Sequence, residues 1–214
     1  MNTLLILLAL AVCCGVIFLL PGIAPGALAF CVAVSIPTFI ALARAHEEKT
    51  FLMRLFSLAV LVRICVATII HIGNLQEFFG GDANTYHIFG ESLNMSWHGD
   101  KYHAGRYAGF IQSGVGAWGM LYVVAVVYEV LGGNMFAVQL INASVGASTA
   151  VVVYYVTQSL FGNSRVSKLA ALLVAFFPSL ILWSSQALKD GLIIMALALC
   201  ILATLRLMEK ITVP

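Results

Sequence analysis

The run Phe51–Ile72, FLMRLFSLAVLVRICVATIIHI, decides the fold class of this chain. It provides about twenty residues of apolar helix, roughly 30 Å at 1.5 Å rise per residue, which is the thickness of a bilayer's hydrocarbon core. Beyond it lies Phe78-Phe79-Gly80-Gly81-Asp82-Ala83-Asn84-Thr85-Tyr86-His87, so a carboxylate, Asp82, stands just past a membrane exit. Asp82 and Tyr86 are four apart and share a face if the segment is helical, as do His87 and Glu91. A small polar constellation at the lipid–water boundary is expected here.

Composition agrees with a membrane assignment. Of 214 residues, 62% are hydrophobic and 9% charged, with a mean hydropathy of +1.02, more apolar surface than a soluble domain of this size could cover. The net charge of +2 is small and the lysines and arginines are scattered, which excludes a nucleic-acid partner. Five cysteines (Cys13, Cys14, Cys31, Cys65, Cys200) fall inside apolar runs; an odd number buried in lipid argues for small packing residues rather than a disulfide framework. Met1-Asn2-Thr3 lacks the basic start of a secretory signal, so the first apolar run reads as a retained span.

Six stretches read as crossings: Leu4–Leu20, Ala27–Ala43, Phe51–Ile72, Phe136–Leu160, Leu169–Trp183 and Leu192–Leu207. A seventh, Gly109–Leu131, is long enough, yet it holds Gly109, Gly114, Gly116 and Gly119 together with Gln112 and Glu129, and so spans, re-enters or lies in the interface. The cytoplasmic side should be the richer in Lys and Arg. If the seventh segment crosses, the basic residues divide four against six. If it does not, Arg44, Lys49, Arg54, Arg165, Lys168, Arg206 and Lys210 oppose Lys101, Arg106 and Lys189, seven against three. The second topology is preferred, with both chain ends cytoplasmic and the Gly73–Ala108 loop outside. It brings the turn Ser184–Asp190 to the same outer face as Asp82.

Several blocks in order resemble a known family. They are Arg63 in its helix, the Asp82/Tyr86 pair opening the outer loop, Leu131-Gly132-Gly133-Asn134, the run from Gln139 to Thr149, Val153-Tyr154-Tyr155, Leu160-Phe161-Gly162, Ala170-Ala171-Leu172-Leu173, Phe177-Pro178, Trp183-Ser184-Ser185 and Lys189-Asp190. From about Phe51 to Met208 the chain resembles the N-terminal part of a GT-C superfamily integral-membrane glycosyltransferase, of the protein mannosyltransferase and lipid A aminoarabinose transferase branch (glycosyltransferase family 39 type). The resemblance implies an all-α polytopic membrane bundle of about six transmembrane helices, with juxtamembrane or re-entrant helices in the first large outer loop. Residues 1–50 would then be two extra N-terminal transmembrane helices, and residues 51–214 a GT-C-like module with its outer loop at 73–108. Two departures stand out: Asp82 is followed by Ala83 where the family often has a carboxylate pair, and family members usually continue well beyond the point reached by Pro214. A fragment, a reduced form or a subunit needing a partner is expected.

The resemblance also implies the chemistry: inverting transfer of a sugar from a polyprenyl-phosphate donor to a lipid, glycan or protein acceptor at the extracytoplasmic face, expected in a bacterial inner (plasma) membrane. Asp82 takes the family's first acidic role and Asp190 the second. Such transfer needs a base for the acceptor's proton and cations for the departing phosphate. A carboxylate at head-group height meets the first need, although Asp82 could instead cap the helix that follows it. Asp190 opens the last apolar run, where capping alone would also explain it. Tyr86, His87, Lys101, Arg106 and Lys189 are the candidate substrate-binding residues, the three cations being those on the outer side; a snorkelling or solvated charge is the bland alternative for each. Cofactors are unknown; a divalent metal is a secondary idea resting on Asp82, Glu91, His87 and His103, whose spacing matches no recognised ligand pattern. Arg63, near mid-span, must face protein or a water-filled cavity, and structural pairing with Glu129 or a helix-end carbonyl is expected. Gly146 with Ala143, Ala147 and Ala150 reads as a tight packing face.

Two other functions stay open. One is a non-catalytic small membrane subunit or truncated paralogue partnering a larger membrane protein, or lacking its C-terminal half. The other is half of a transporter or flippase, which should show broken helices and charges converging at the midplane.

Overall fold

The computed structural model describes residues 3–45, 48–79, 81–114 and 118–211, with the side chains of Trp118, Lys210 and Ile211 left aside. Gly80 of the outer loop, Gly116 of the ambiguous segment and the Lys210 side chain, counted above among the cytoplasmic charges, therefore lie outside the described residues. The described residues form an all-helical bundle: α1 (Thr3–Leu19), α2 (Ala24–Arg44), α3 (Lys49–Ile72), α4 (Asp82–Trp97), α5 (Lys101–Gln112), α6 (Trp118–Leu131), α7 (Met135–Phe161), α8 (Ser164–Phe176), α9 (Pro178–Ser184) and α10 (Asp190–Ile211).

The span count differs from six. Four helices, α2, α3, α7 and α10, are long and apolar enough to cross a bilayer, and α8 with α9 forms a fifth, broken candidate bent by 54°. The described part of the first apolar run is a 17-residue helix, at the lower limit of the roughly 17–25 residues a crossing takes. The segment Gly109–Leu131 is not one helix. Its first part ends α5, Gly114 turns the chain at φ +74°, and its second part is α6, whose 14 residues reach about 21 Å. That agrees with the non-crossing topology.

The break between α8 and α9 has a local cause. Pro178 has no N–H to give the carbonyl of Val174, and its ring pushes Phe177 out of the helical region, to φ −65° and ψ 123°. The chain leaves the helix and restarts at a new angle.

Helix α7 is the hub, packed by α2, α3, α8 and α10 and buried on nearly every side. Its small residues Ala143, Ala147 and Ala150 admit neighbours closely, and several of its polar residues are paired across the contacts, whereas the buried Tyr154 hydroxyl has no partner among the described residues. Ser144 meets Ser35 at 2.9 Å and Cys31 at 3.1 Å; Ser148 meets Thr38 at 2.8 Å. Those pairings run in step along both chains, so α2 lies parallel to α7. His71 with Gln139, at 3.1 Å, sets α3 antiparallel. Helices α4, α5 and α6 form a lateral layer at one end of the bundle, α4 packing on both others. Gly90 makes the α4–α6 approach possible, since a Cβ there would stand 2.5 Å from Val124.

Both ends of the bundle are tied by polar contacts. At one, the Asn134 amide caps α7 through Ala137 N–H and donates to the carbonyl of Ile23 at 2.9 Å, joining the α1–α2 turn to the start of α7. At the other, Glu48, held at φ +52°, pairs with Lys168 and accepts from Ser164 at 2.9 Å. Those two contacts hold the Glu48 carboxyl below the usual carboxylate range.

Candidate active site

The turn between α9 and α10 is drawn into the bundle by α7. Asn142 donates to the backbone carbonyls of Gln186 and Leu188, and Gln139 donates to that of Ser185 at 3.4 Å. Ser185 and Gln186 are buried as a result. This anchoring puts Lys189 and Asp190 at the same end of the bundle as α4, where Lys189 Nζ donates to Tyr86 Oη at 3.1 Å and lies 5.9 Å from the centre of its ring. The hydrogen bond to Tyr86, with the carboxylates of Asp190 and Asp82 adding to it, raises the Lys189 pKa above the ordinary lysine value. The ammonium is thus held charged between two acids.

Asp82 and Asp190 line one cavity of about 340 Å³, in the size range of small-molecule sites. Each opens its helix, where the positive end of the helix dipole favours a carboxylate. Asp82 is the first helical residue rather than the cap; Gly81, at φ +73°, occupies the cap position without a side-chain bond. The capping reading of Asp82 is therefore not what α4 shows.

The cavity floor is Arg63. Only 1% exposed, it donates through Nε to Ser184 Oγ at 2.8 Å, and through its terminal nitrogens to the carbonyls of Ala59, Ala175 and Val174 at 3.2, 2.8 and 3.4 Å. The Val174 carbonyl is the one Pro178 leaves without a helical donor, so the break and the buried arginine answer each other. Of the two pairings expected for Arg63, the helix-end carbonyls are the ones formed; Glu129 instead accepts from Asn94 and meets His98 at 2.9 Å. The opposite wall is Gly146, where a Cβ would stand 2.4 Å from that of Ser184 and 3.2 Å from Arg63 Nε. Val174, Leu180, Trp183 and Ile194 supply apolar lining, and Trp183 and Ile194 are each about 40% exposed, so this wall is reached from outside the bundle.

Other expected site residues lie elsewhere. His87 hydrogen-bonds Tyr128 Oη at 2.6 Å and lines a different cavity. Its place five residues after Asp82 turns it about 140° around the helix, away from Asp82, whereas Tyr86 is turned by about 40°. Lys101 and Arg106 sit exposed on α5, Arg106 over the Phe89 ring at 5.5 Å, and neither lines the Asp82 cavity. The metal candidates do not gather: among the described residues no three His, Cys, Asp or Glu side chains converge, and His103 pairs with Asp100 and Ser92. The sequence pointed to structural pairing for Arg63 and tight packing for Gly146, and gave Trp183 and Ser184 only as part of a family-like block with no site role; a small residue on α7 opposite a mid-span arginine was the available signal.

Comparison with known proteins adds one finding. Residues 117–213 match the family model of dolichyl-phosphate-mannose-protein mannosyltransferase. The match takes in α6 to α10, with Gly146, Ser184, Lys189 and Asp190, and stops short of Asp82 and Arg63; it covers less than half of the chain. No curated protein and no solved structure matches the chain.

Proposed function

We propose that the chain is a glycosyltransferase of the GT-C type that moves a sugar from a polyprenyl-phosphate donor to a hydroxyl acceptor at the extracytoplasmic face. The observation that carries the reading is one cavity shared by two carboxylates, a buried arginine and an accessible apolar wall, in a chain whose second half matches a mannosyltransferase family. The apolar wall of Trp183, Leu180 and Ile194 suits a lipid-borne substrate. Asp82 accepts the proton of the acceptor hydroxyl as its oxygen bonds to the anomeric carbon; the bond from that carbon to the phosphate oxygen breaks, and the polyprenyl phosphate leaves as an anion. The charges of Lys189, beside the cavity, and of Arg63, whose donors stay on Ser184 and the helix carbonyls, favour that anion, while the bond to Tyr86 holds Lys189 in place and Asp190 adds to its charge. The seven-to-three division of basic residues supports the outward-facing placement.

A transporter half is the second reading, favoured by the broken α8–α9 pair and by the mid-span arginine. Against it, the Arg63 guanidinium is bound by three carbonyls and a serine hydroxyl. The test is transfer from a labelled polyprenyl-phosphate sugar in liposomes. Asp82→Asn should lower the rate on the order of 10²- to 10⁴-fold with folding unchanged. Glu209→Gln, a carboxylate lost at the far end of α10, should keep the wild-type rate. Wild-type turnover by the Asp82 variant removes it as the base.

A further inference from the structure

A second cavity, about 290 Å³, opens on the other side of the first turn of α4. Asn84 lies about 200° around the helix from Asp82, so that one turn is the partition between the two spaces. Six polar residues line the second one: His71 at the end of α3, Asn74 and Gln76 in the segment after it, Asn84 and His87 on α4, and Asn134 before α7. None of the described lining residues is a Lys, Arg, Asp or Glu.

Their hydrogen-bonding capacity is largely unspent. Asn134 is used on Ala137 and Ile23, and each histidine uses Nδ1, on Gln139 for His71 and on Tyr128 for His87. Among the described residues, the side-chain amides of Asn74, Gln76 and Asn84 and the Nε2 atoms of His71 and His87 have no partner. Gln76 is 4% exposed, yet neither of its amide atoms is among the fully enclosed polar atoms without a partner, which among the described residues are Ser57 Oγ and Tyr154 Oη, so its amide keeps access to open space. The residues that carry these three free amides and two free imidazole nitrogens thus line one cavity.

The chemistry of that lining selects its ligand. An anion would need a cation or a cradle of backbone N–H groups; a cation would need carboxylates among the lining. Glu91 approaches at Gly133, 3.3 Å from where a Cβ would sit, and a negative charge at that edge further disfavours an anion. Amides both donate and accept, as hydroxyls do. We propose that this cavity binds an uncharged, hydroxyl-rich ring, a sugar or cyclic polyol. Its volume suits a single ring, near the lower end of the ~300–1,000 Å³ typical of small-molecule pockets. The site lies across the first turn of α4 from Asp82, and as a binding site it does not depend on the transfer reading above.

The test uses the full chain in lipid nanodiscs, free of glycoside detergents, with ¹⁵N-labelled histidine. Methyl hexopyranosides should give saturable shifts of the His71 and His87 Nε2 resonances. Inorganic phosphate and a hexose phosphate should bind at least 10-fold more weakly. Asn84→Ala should weaken glycoside binding about 10-fold or more. Asn74→Gly should do likewise with the fold kept, because glycine readily adopts the φ of +51° that Asn74 holds. Asp82→Asn should leave binding unchanged, so loss of transfer and loss of sugar binding are read separately. Saturation by alkyl glycosides alone would support the site and assign the ring to a lipid head group. Absence of saturable shifts with every glycoside, phosphate binding as tight as glycoside binding, or full affinity in both asparagine variants would overturn the proposal.

Discussion

Replacing Gly146 by alanine tests the packing that builds the Asp82 cavity. In an ordinary helix the change adds stability, about 1 kcal/mol, because alanine is the better helix former. Here the new Cβ would stand 2.4 Å from Ser184 Cβ, 2.6 Å from Ser184 Oγ and 3.2 Å from Arg63 Nε. Ordinary contact begins near 3.4 Å, so α9 must retreat by roughly 1 Å or more, and Ser184 is the residue that moves. Overpacking of this kind costs about 1–3 kcal/mol, which exceeds or cancels the helix gain. Displacing Ser184 also stretches its 2.8 Å bond from Arg63 Nε, a charge-assisted contact in a low-dielectric setting. Gly191→Ala is the matched comparison: its Cβ would meet Asn142 at 3.6 Å and Ser184 at 3.8 Å, ordinary contacts. Denaturant-induced unfolding in mixed micelles should show Gly146→Ala destabilised relative to Gly191→Ala by about 1–3 kcal/mol. Equal stability of the two variants, or a stabilised Gly146→Ala, would refute the close approach of α7 and α9 and with it the described cavity wall.

Two further outcomes follow from the ends of the bundle. Cysteines placed at Asp100 and Lys189 in a background lacking the five native thiols should both react with a membrane-impermeant reagent from one side, while one at Arg165 reacts from the other; opposite-side labelling of positions 100 and 189 would contradict the arrangement. Glu48 is lowered in pKa by Lys168 and Ser164, so its contribution is present above the ordinary glutamate value and is lost as pH falls through the lowered one. Thermal stability should therefore drop as pH is taken below about 4.3, and Glu48→Gln should flatten that part of the profile. An unchanged acid limb in the variant would show that the pair contributes nothing.

Much of this fold was legible. Phe51–Ile72 became α3 within two residues, because an apolar run of that length has one stable solution in lipid. Leu169–Trp183 was read as one crossing straight through Pro178, whose missing N–H instead divides it between α8 and α9. The split of Gly109–Leu131 was signalled by its glycines and settled by Gly114, whose positive φ no sequence displays. At the site, Asp82, Tyr86, Lys189 and Asp190 share one locality because helical spacing joins the first two and chain adjacency the last two; Asn142, which brings the pairs together, acts through a tertiary contact that spacing does not encode. The same spacing already separated His87 from Asp82. Arg63 was expected to find a helix-end carbonyl, yet two of the three carbonyls it reaches belong to α8, more than a hundred residues away, at the break before the proline that opens α9.

The central claim is that Asp82 and Asp190 act on one reaction in one cavity. The most direct measurement is a double-mutant cycle on transfer rate, with Asp82→Asn, Asp190→Asn and both together, under single-turnover conditions. Each single change should slow transfer, and the double variant should be far less impaired than the product of the two effects. Independent, multiplicative losses, or an Asp190→Asn rate equal to wild type, would contradict it.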